Sequence, residues 1–242
     1  MIYNKIYDFC KIRNFGGALQ NGLDITPRLN FIIGLISGLN IKYELIKFST
    51  TRYPNNHFYN IYIRGDSDLM VIAHHDVLNH DSDNANDNSA SIINCISLKL
   101  LNPSINIAII DGEEPPCMGL GSDKLSQDIL SGYFGNIRHV LNLELTGKGG
   151  ETFFVGDLGS DLEKKLIEKF DPFVIIPPFN DSYNLLRYGI DSTVITTIPL
   201  ANECADYSIM HKIHSKSDSV DSISVNDMKI FTEKILLQFF NI

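Results

Sequence analysis

The feature that most constrains this chain is a set of short apolar runs, each closing on polar residues and separated by amphipathic segments. Leu69–Ala73 and Ile105–Ile110 are continuous apolar stretches, the pattern of strands buried on both faces. Tyr59 to Arg64 alternates, Val140 to Leu145 and Phe173 to Ile176 are further short runs, and Thr193 to Ile198 is rich in β-branched residues; all read as strands. Helices fall between them. One begins near Thr26, which can cap it ahead of Pro27, with Leu29, Ile32, Ile33 and Ile36 as its buried stripe. Ser89 to Leu101 is a second, with Ile92, Ile93, Ile96 and Leu100 inward. Gly121 to Leu130, with Ser122 as a candidate cap, and Leu158 to Phe170 follow. A closing helix from Val225, capped by Ser224, carries Met228, Phe231, Ile235 and Phe239 as a core stripe. Strands alternating with helices predict an α/β three-layer sandwich: a mixed, mostly parallel central sheet with helices on both faces. No repeat, low-complexity stretch or Pro/Gly/Ser-rich linker divides the 242 residues, so one catalytic domain over 1–242 is expected, with no lid or appended domain.

In such sheets, functional groups gather beyond the carboxyl ends of the strands. Here those exits present His74-His75-Asp76, then Asp111-Gly112-Glu113-Glu114, then Glu144 within Leu-Asn-Leu-Glu-Leu. Asn86-Asp87-Asn88 stands just before a helix, and His211-Lys-Ile-His214-Ser-Lys-Ser-Asp218 comes late in the chain. Imidazole and carboxylate without thiolate is the donor set of a catalytic zinc site. Two divalent ions ~3.5–4 Å apart need one bridging carboxylate and about two terminal ligands each, so two histidines and three acidic groups suffice. A further carboxylate beside them can take a proton from water. Several of these residues have plainer readings. Asp87 can cap a helix, as can Asn86, Asn88 or Ser89. Glu113-Glu114 can be a solvated turn, Asp111 reads as turn chemistry, and His75 as a core or pocket neighbour. Glu144 in an apolar strand has no such reading, because a buried carboxylate without a partner is costly. His57, His80 and His139 have no motif around them.

The order of these motifs resembles the M28-type zinc exopeptidases, the metal-dependent aminopeptidase family that includes glutaminyl-cyclase-like members. Ala73-His74-His75-Asp76 is similar to the family's AHxD, Asn86-Asp87-Asn88 to xDN, and Gly112-Glu113-Glu114 to xEE. Gly121-Ser122, Leu141-Asn142-Leu143-Glu144 (Glu for the family's Asp), Gly189-Ile190 and His214-Ser-Lys-Ser-Asp218 follow in order, so the likeness covers about residues 60–225. The resemblance implies that His74 and Glu144 bind one zinc, Glu114 and His214 the other, and that Asp87 bridges them. It implies that Asp76 orients His74, that Glu113 is the general base, and that the Asp87–Asn88 peptide is cis. Two Zn2+ per chain are expected, with Mn2+ or Co2+ compatible with the same donors. The expected activity is hydrolysis of small peptides from the amino end. Alternatives on the same centre are a carboxypeptidase, an amide deacylase, or a glutaminyl-cyclase-like acyltransferase with one zinc; a hydrolase-shaped binding protein is the alternative of another class. This chain departs from the family at Asn84 and Ser91, where the family has glycine, at Ser182 in place of the histidine of SDH, and in the added Pro115-Pro116-Cys117-Met118.

Composition narrows the partners. Lys and Arg number 20 against 29 Asp and Glu, a formal net charge of -9. An acidic chain without a basic cluster is poorly suited to nucleic acid or an anionic membrane. Cys10, Cys95, Cys117 and Cys204 form no CxxC pair and read as buried or incidental thiols, Cys117 lying beside the acidic pair. Met1-Ile-Tyr-Asn-Lys does not resemble a secretory signal, and no apolar stretch approaches the ~20 residues that cross a bilayer. A cytoplasmic protein is the default expectation; a processed secreted form reads the same. Tyr183, Tyr188 and Asn202–Tyr207 are candidate pocket residues.

Overall fold

The computed structural model describes residues 2–12, 25–78, 81–197 and 212–240. Its centre is one eight-stranded mixed sheet. In chain order the strands are β1 (Glu44–Thr50), β2 (Tyr53–Ile63), β3 (Leu69–His74), β4 (Asn106–Ile110), β5 (His139–Leu143), β6 (Phe154–Gly156), β7 (Phe173–Ile175) and β8 (Asp191–Thr196). They lie in the order β1-β2-β4-β3-β5-β8-β6-β7. The inner strands β4, β3, β5 and β8 are mutually parallel, whereas β1–β2, β2–β4 and β6–β8 pair antiparallel. The helices are α1 (Lys5–Phe9), α2 (Pro27–Gly38), α3 (Ala90–Leu101), α4 (Leu120–Leu130), α5 (Asp161–Phe170), α6 (Asp181–Arg187) and α7 (Val225–Ile230), the last continuing through Phe231–Leu236 and Leu237–Phe240.

The period-two alternation of a strand divides the core. Val71 and Ala73 of β3, with Ile107 and Ile109 of β4, join α1, α2, α3, α5 and α7 in one cluster. Met70, Ile72, Ala108 and Ile110 point the other way, onto Leu125 and Ile129 of α4 and Leu185 of α6. Two helical layers thus sandwich the sheet, as the run-and-stripe pattern predicts.

Local chemistry sets most helix starts. Thr26 accepts from Leu29 N, Ser224 accepts from Asp227 N, and Ser160 and Glu163 form a reciprocal capping box. The expectation for α4 is corrected. Gly119 precedes its first turn, and Ser122 Oγ instead donates to Gly119 O. Leu100 is also not inward: it is 42% exposed, because α3 is enclosed on all sides through Lys99 and only its last residues run clear. β1, β6, α1 and α6 are absent from the pattern reading. β6 and α6 are too short to show a period, and β1 mixes Glu44, Lys47 and Ser49 along a half-buried edge. The end of the run to Ile198, the stretch Asn202–Tyr207, and His80, Cys204 and His211 lie outside the described residues.

Candidate metal centre

Because β3, β4, β5 and β8 are parallel, their carboxyl ends open on one edge of the sheet. β3 ends on His74, the turn after β4 carries Glu113 and Glu114, and Glu144 directly follows β5. Gly112 makes the β4 turn possible: its φ of +71 is a left-handed conformation that suits glycine. Gly121 has a different reason, since a Cβ there would stand 2.2 Å from Asp111 O.

Asp87 lies between two histidines distant in sequence. His74 Nε2 is 3.1 Å from Asp87 Oδ1 and 3.4 Å from Glu144 Oε2. His214 Nε2 is 3.3 Å from Asp87 Oδ2 and 3.5 Å from Glu114 Oε2. Two triads, His74–Asp87–Glu144 and Asp87–Glu114–His214, therefore share one carboxylate, which turns one oxygen to each. Two ligand atoms each about 2.1 Å from a tetrahedral ion stand roughly 3.4 Å apart, and the observed spacings fall around that value. Buried carboxylates crowded in this way must either hold protons or be paired with cations. Imidazole nitrogen and carboxylate oxygen, with no thiolate, suit zinc and also manganese or cobalt.

Side chains behind the triads orient them. His74 Nδ1 lies 3.2 Å from the carbonyl of Asp76, which can only accept, so Nδ1 is the donor in that contact and Nε2 is the ring nitrogen turned to the triad. Asp76 Oδ1 and Oδ2 accept from Glu113 N (3.1 Å) and Glu114 N (2.9 Å), and Oδ1 also stands 3.5 Å from His74 Nδ1, so Asp76 holds the histidine mainly through its carbonyl and the acidic turn through its carboxylate. Asp218 does the same for the bridging residue: its oxygens accept from Asn86 N (2.7 Å) and Asp87 N (3.0 Å). Asn88 Nδ2 donates to Glu144 Oε2 (2.8 Å) and to Leu143 O, and Asn142 Nδ2 donates to Glu144 Oε1. The Asp87–Asn88 peptide is cis. Neither Asp218 nor Asn88 stands out in the sequence by function. Asp218 shows there only as a spacing mark after His214, and Asn88 as a possible cap and as the last residue of the Asn86-Asp87-Asn88 motif, with no role of its own.

The departures from the family pattern also find their places. Asn84 has φ 46 and ψ 46, the left-handed region that glycine usually fills and asparagine tolerates. Ser91 Oγ shares a hydrogen bond with Thr146 Oγ1, and Ser192 Oγ donates to Ser182 Oγ, so both serines are held by small polar neighbours. His75 turns away from the cluster and donates from Nε2 to Tyr59 O, while Asp111 Oδ2 accepts from Tyr59 N. These two brace β2 and take no part in the triads. Cys117 is buried beside them, its thiol pushed up to about 12 by burial first and then by Asp76 and Asp111.

The electrostatics fit a cation-binding pit. Burial raises Glu114 to about 9, reinforced by Asp87. Burial likewise holds Glu113 well above, and Glu144 above, the usual carboxylate range. Burial also acts on Asp87 and Asp76, but hydrogen bonds from His214 and His74 outweigh it for Asp87, as does the His74 bond for Asp76, and both lie below that range. A cavity opens over the triads. One end is lined by His74, Asp87, Glu113, Glu114, Glu144 and His214; its wall is Leu145, Ile175, Ile176, Pro177, Val194 and Ile213, with Met118 and Phe179 at the rim. Tyr183 and Tyr188 are not among its lining residues.

The sequence profile of Peptidase family M28 matches residues 60–238. No curated protein matches the chain. The Legionella pneumophila LapA aminopeptidase shares the fold at 17% identity and a TM-score of 0.70, covering 96% of this chain and 66% of its own. BSAP, a zinc aminopeptidase from Bacillus subtilis, does so at 18% identity and a TM-score of 0.59, over 78% of this chain and 51% of its own. The Fimbriiglobus ruber glutaminyl cyclase aligns at 16% identity and a TM-score of 0.72, over 98% of this chain and 93% of its own. This chain thus spans about two thirds of LapA and half of BSAP, and at such identities the likeness is one of fold. With the profile running from within β2 into the last helical segment, Leu237–Phe240, this chain belongs to peptidase family M28.

Proposed function

We propose that the protein is a dinuclear zinc aminopeptidase acting on small peptides, built as one catalytic domain. The observation that carries the reading is Asp87, placed with one oxygen toward each of two His–carboxylate triads. His74, Asp87 and Glu144 would hold one ion, and Asp87, Glu114 and His214 the other. When bound, zinc supplies Lewis acidity toward a carbonyl oxygen and makes water more acidic. Glu113, half-buried at the acidic end of the cavity, accepts the proton of the attacking water and delivers it to the leaving amine, a role worth typically 10²–10⁴-fold. Asp76 fixes the direction of that side chain through the Glu113 backbone. The free α-amino group, a cation, is drawn to the carboxylate-rich end, and the apolar wall takes an uncharged first side chain. Zinc in BSAP and aminopeptidase activity in LapA support this choice by likeness. Among the described residues no helix is long and apolar enough to cross a membrane.

A glutaminyl-cyclase-like acyltransferase is the second reading, favoured by the near-complete mutual overlap with the Fimbriiglobus ruber enzyme. It predicts one zinc, whereas the shared Asp87 predicts two. Metal analysis per chain, with N-blocked and C-blocked dipeptides as substrates, separates the readings. Glu113→Ala should keep both ions and lose most of kcat; a variant that hydrolyses unblocked dipeptides at the normal rate would refute the assignment.

A further inference from the structure

Arg28 sits where local physics disfavours a cation. It is the second residue of α2, at the positive end of the helix dipole, and its relative exposure is 0%. Its Nη1 has no hydrogen-bond partner among the described residues. Burial lowers its guanidinium to about 10, opposed first by Cys10 and then by Asp218, Asp87 and Asp76, so it stays charged near neutral pH. Among the described residues it makes no direct ion pair with any of these carboxylates.

The remaining contacts explain why the chain keeps it. Nε donates to the carbonyl of His75 at 3.2 Å, and Nη2 donates to Ser89 Oγ at 3.0 Å. The guanidinium lies 4.3 Å from the centroid of the Phe9 ring, which holds its plane. His75 follows His74 at the end of β3. Ser89 stands two residues after Asp87, and its own Oγ donates to Asn84 O, closing the turn that carries the bridging residue. One rigid fork, bonded to His75 and Ser89 47 and 61 residues away along the chain, therefore spans the two segments that present His74 and Asp87.

We propose that Arg28 is a positioning residue of the metal centre: its planar fork ties the His74 strand end to the Asp87 turn and keeps the two ligands at the spacing an ion requires. The proposal rests on the reading of the triads as a metal site. Lysine does not replace such a fork, because an ammonium has no fixed pair of donor directions. The buried charge adds to the geometry, since it stands near Asp76, Asp87 and Asp218, which set the turn, without occupying a ligand atom.

The test uses the full chain, stripped with a chelator and titrated with zinc against a chromophoric competitor, alongside the melting temperature of the stripped protein. Arg28→Lys and Arg28→Met should weaken zinc binding at the His74 site about tenfold or more, within the range of roughly 10–100-fold seen when a group that orients a ligand is removed. Ser89→Ala, which removes one arm together with the Ser89 Oγ bond to Asn84 O and leaves the buried cation in place, covers the case in which the arginine variants do not fold; it should weaken the same site. A lowered melting temperature with unchanged zinc affinity, in Ser89→Ala or in either folded arginine variant, makes Arg28 merely structural and overturns the proposal. Failure of the unaltered chain to take up zinc instead overturns the metal-site reading itself, and the proposal falls with it.

Discussion

Asp218 offers the sharpest test of how the centre is held. Its relative exposure is 2%, and its two oxygens accept from the successive backbone N–H groups of Asn86 and Asp87, at 2.7 and 3.0 Å. Asp218→Asn preserves the shape and replaces one acceptor by an NH2 group, which then faces an N–H. Above about pH 8, where Asp218, raised to about 7 chiefly by burial, is ionised, at least one bond to a charged acceptor is lost, roughly 1.5–3 kcal/mol, and a buried N–H is left unpaired. A net loss of about 3 kcal/mol, at roughly 2–4 °C per kcal/mol for a chain of this size, lowers the melting temperature by about 6–12 °C. The same change frees the backbone of Asp87, so both ions should bind more weakly, by roughly 10–100-fold. Calorimetry of the stripped protein and competitive zinc titration measure the two effects separately. A variant that melts lower while binding both ions at the original affinity would show that the Asp218 clamp does not set the direction of Asp87, and the argument from the backbone bonds would be wrong.

Removal of His214 should act on one half of the centre. His214→Ala is expected to bind one zinc per chain where the proposed centre of the unaltered protein takes up two, because His74, Asp87 and Glu144 remain intact; elemental analysis after dialysis counts the ions. The metal-free protein should lose stability as pH rises. Asp111, Asp218, Asp181 and Glu114 are raised to about 6, 7, 7 and 9, each chiefly by burial. A raised carboxyl binds its proton more tightly folded than unfolded, so the stability it lends is present at low pH and is lost between about pH 4 and its folded value. His74, held well above its ordinary value by Glu144 and Asp76 against its burial, has the same sign. Asp76 and Asp87 are lowered and act oppositely, but only below about pH 4. Melting of the stripped protein should therefore fall from pH 5 to pH 8; a flat or rising profile would contradict the burial of these carboxyls.

Much of this centre is legible without coordinates because its chemistry is local. Parallel strands end on one edge of a sheet, so the polar residues that follow β3, β4 and β5 are candidates from pattern alone, and His74, Glu113, Glu114 and Glu144 all sit there. Thr26, Ser160 and Ser224 act as caps within three residues of their partners, a range that sequence can show. Other features have no local signal. β6 and α6 owe their form to neighbours, since three and seven residues cannot establish a period of their own. Ser122 looks like a cap in sequence, but Gly119 already carries the chain into α4.

The sequence by itself determined the kinds of donor, their order along the chain, and the layered α/β scaffold, because these follow from residue chemistry and from periods of two and 3.6 residues. The motif resemblance already implied which donors share Asp87; only the tertiary structure decided how far apart they stand, that Asp218 grips the Asp87 backbone, and that Arg28 is buried beside the turn with no access to water. Those pairings join residues from 13 to 131 positions apart. No rule of spacing reaches so far; the contacts exist because burial brings polar groups together where each must find a partner.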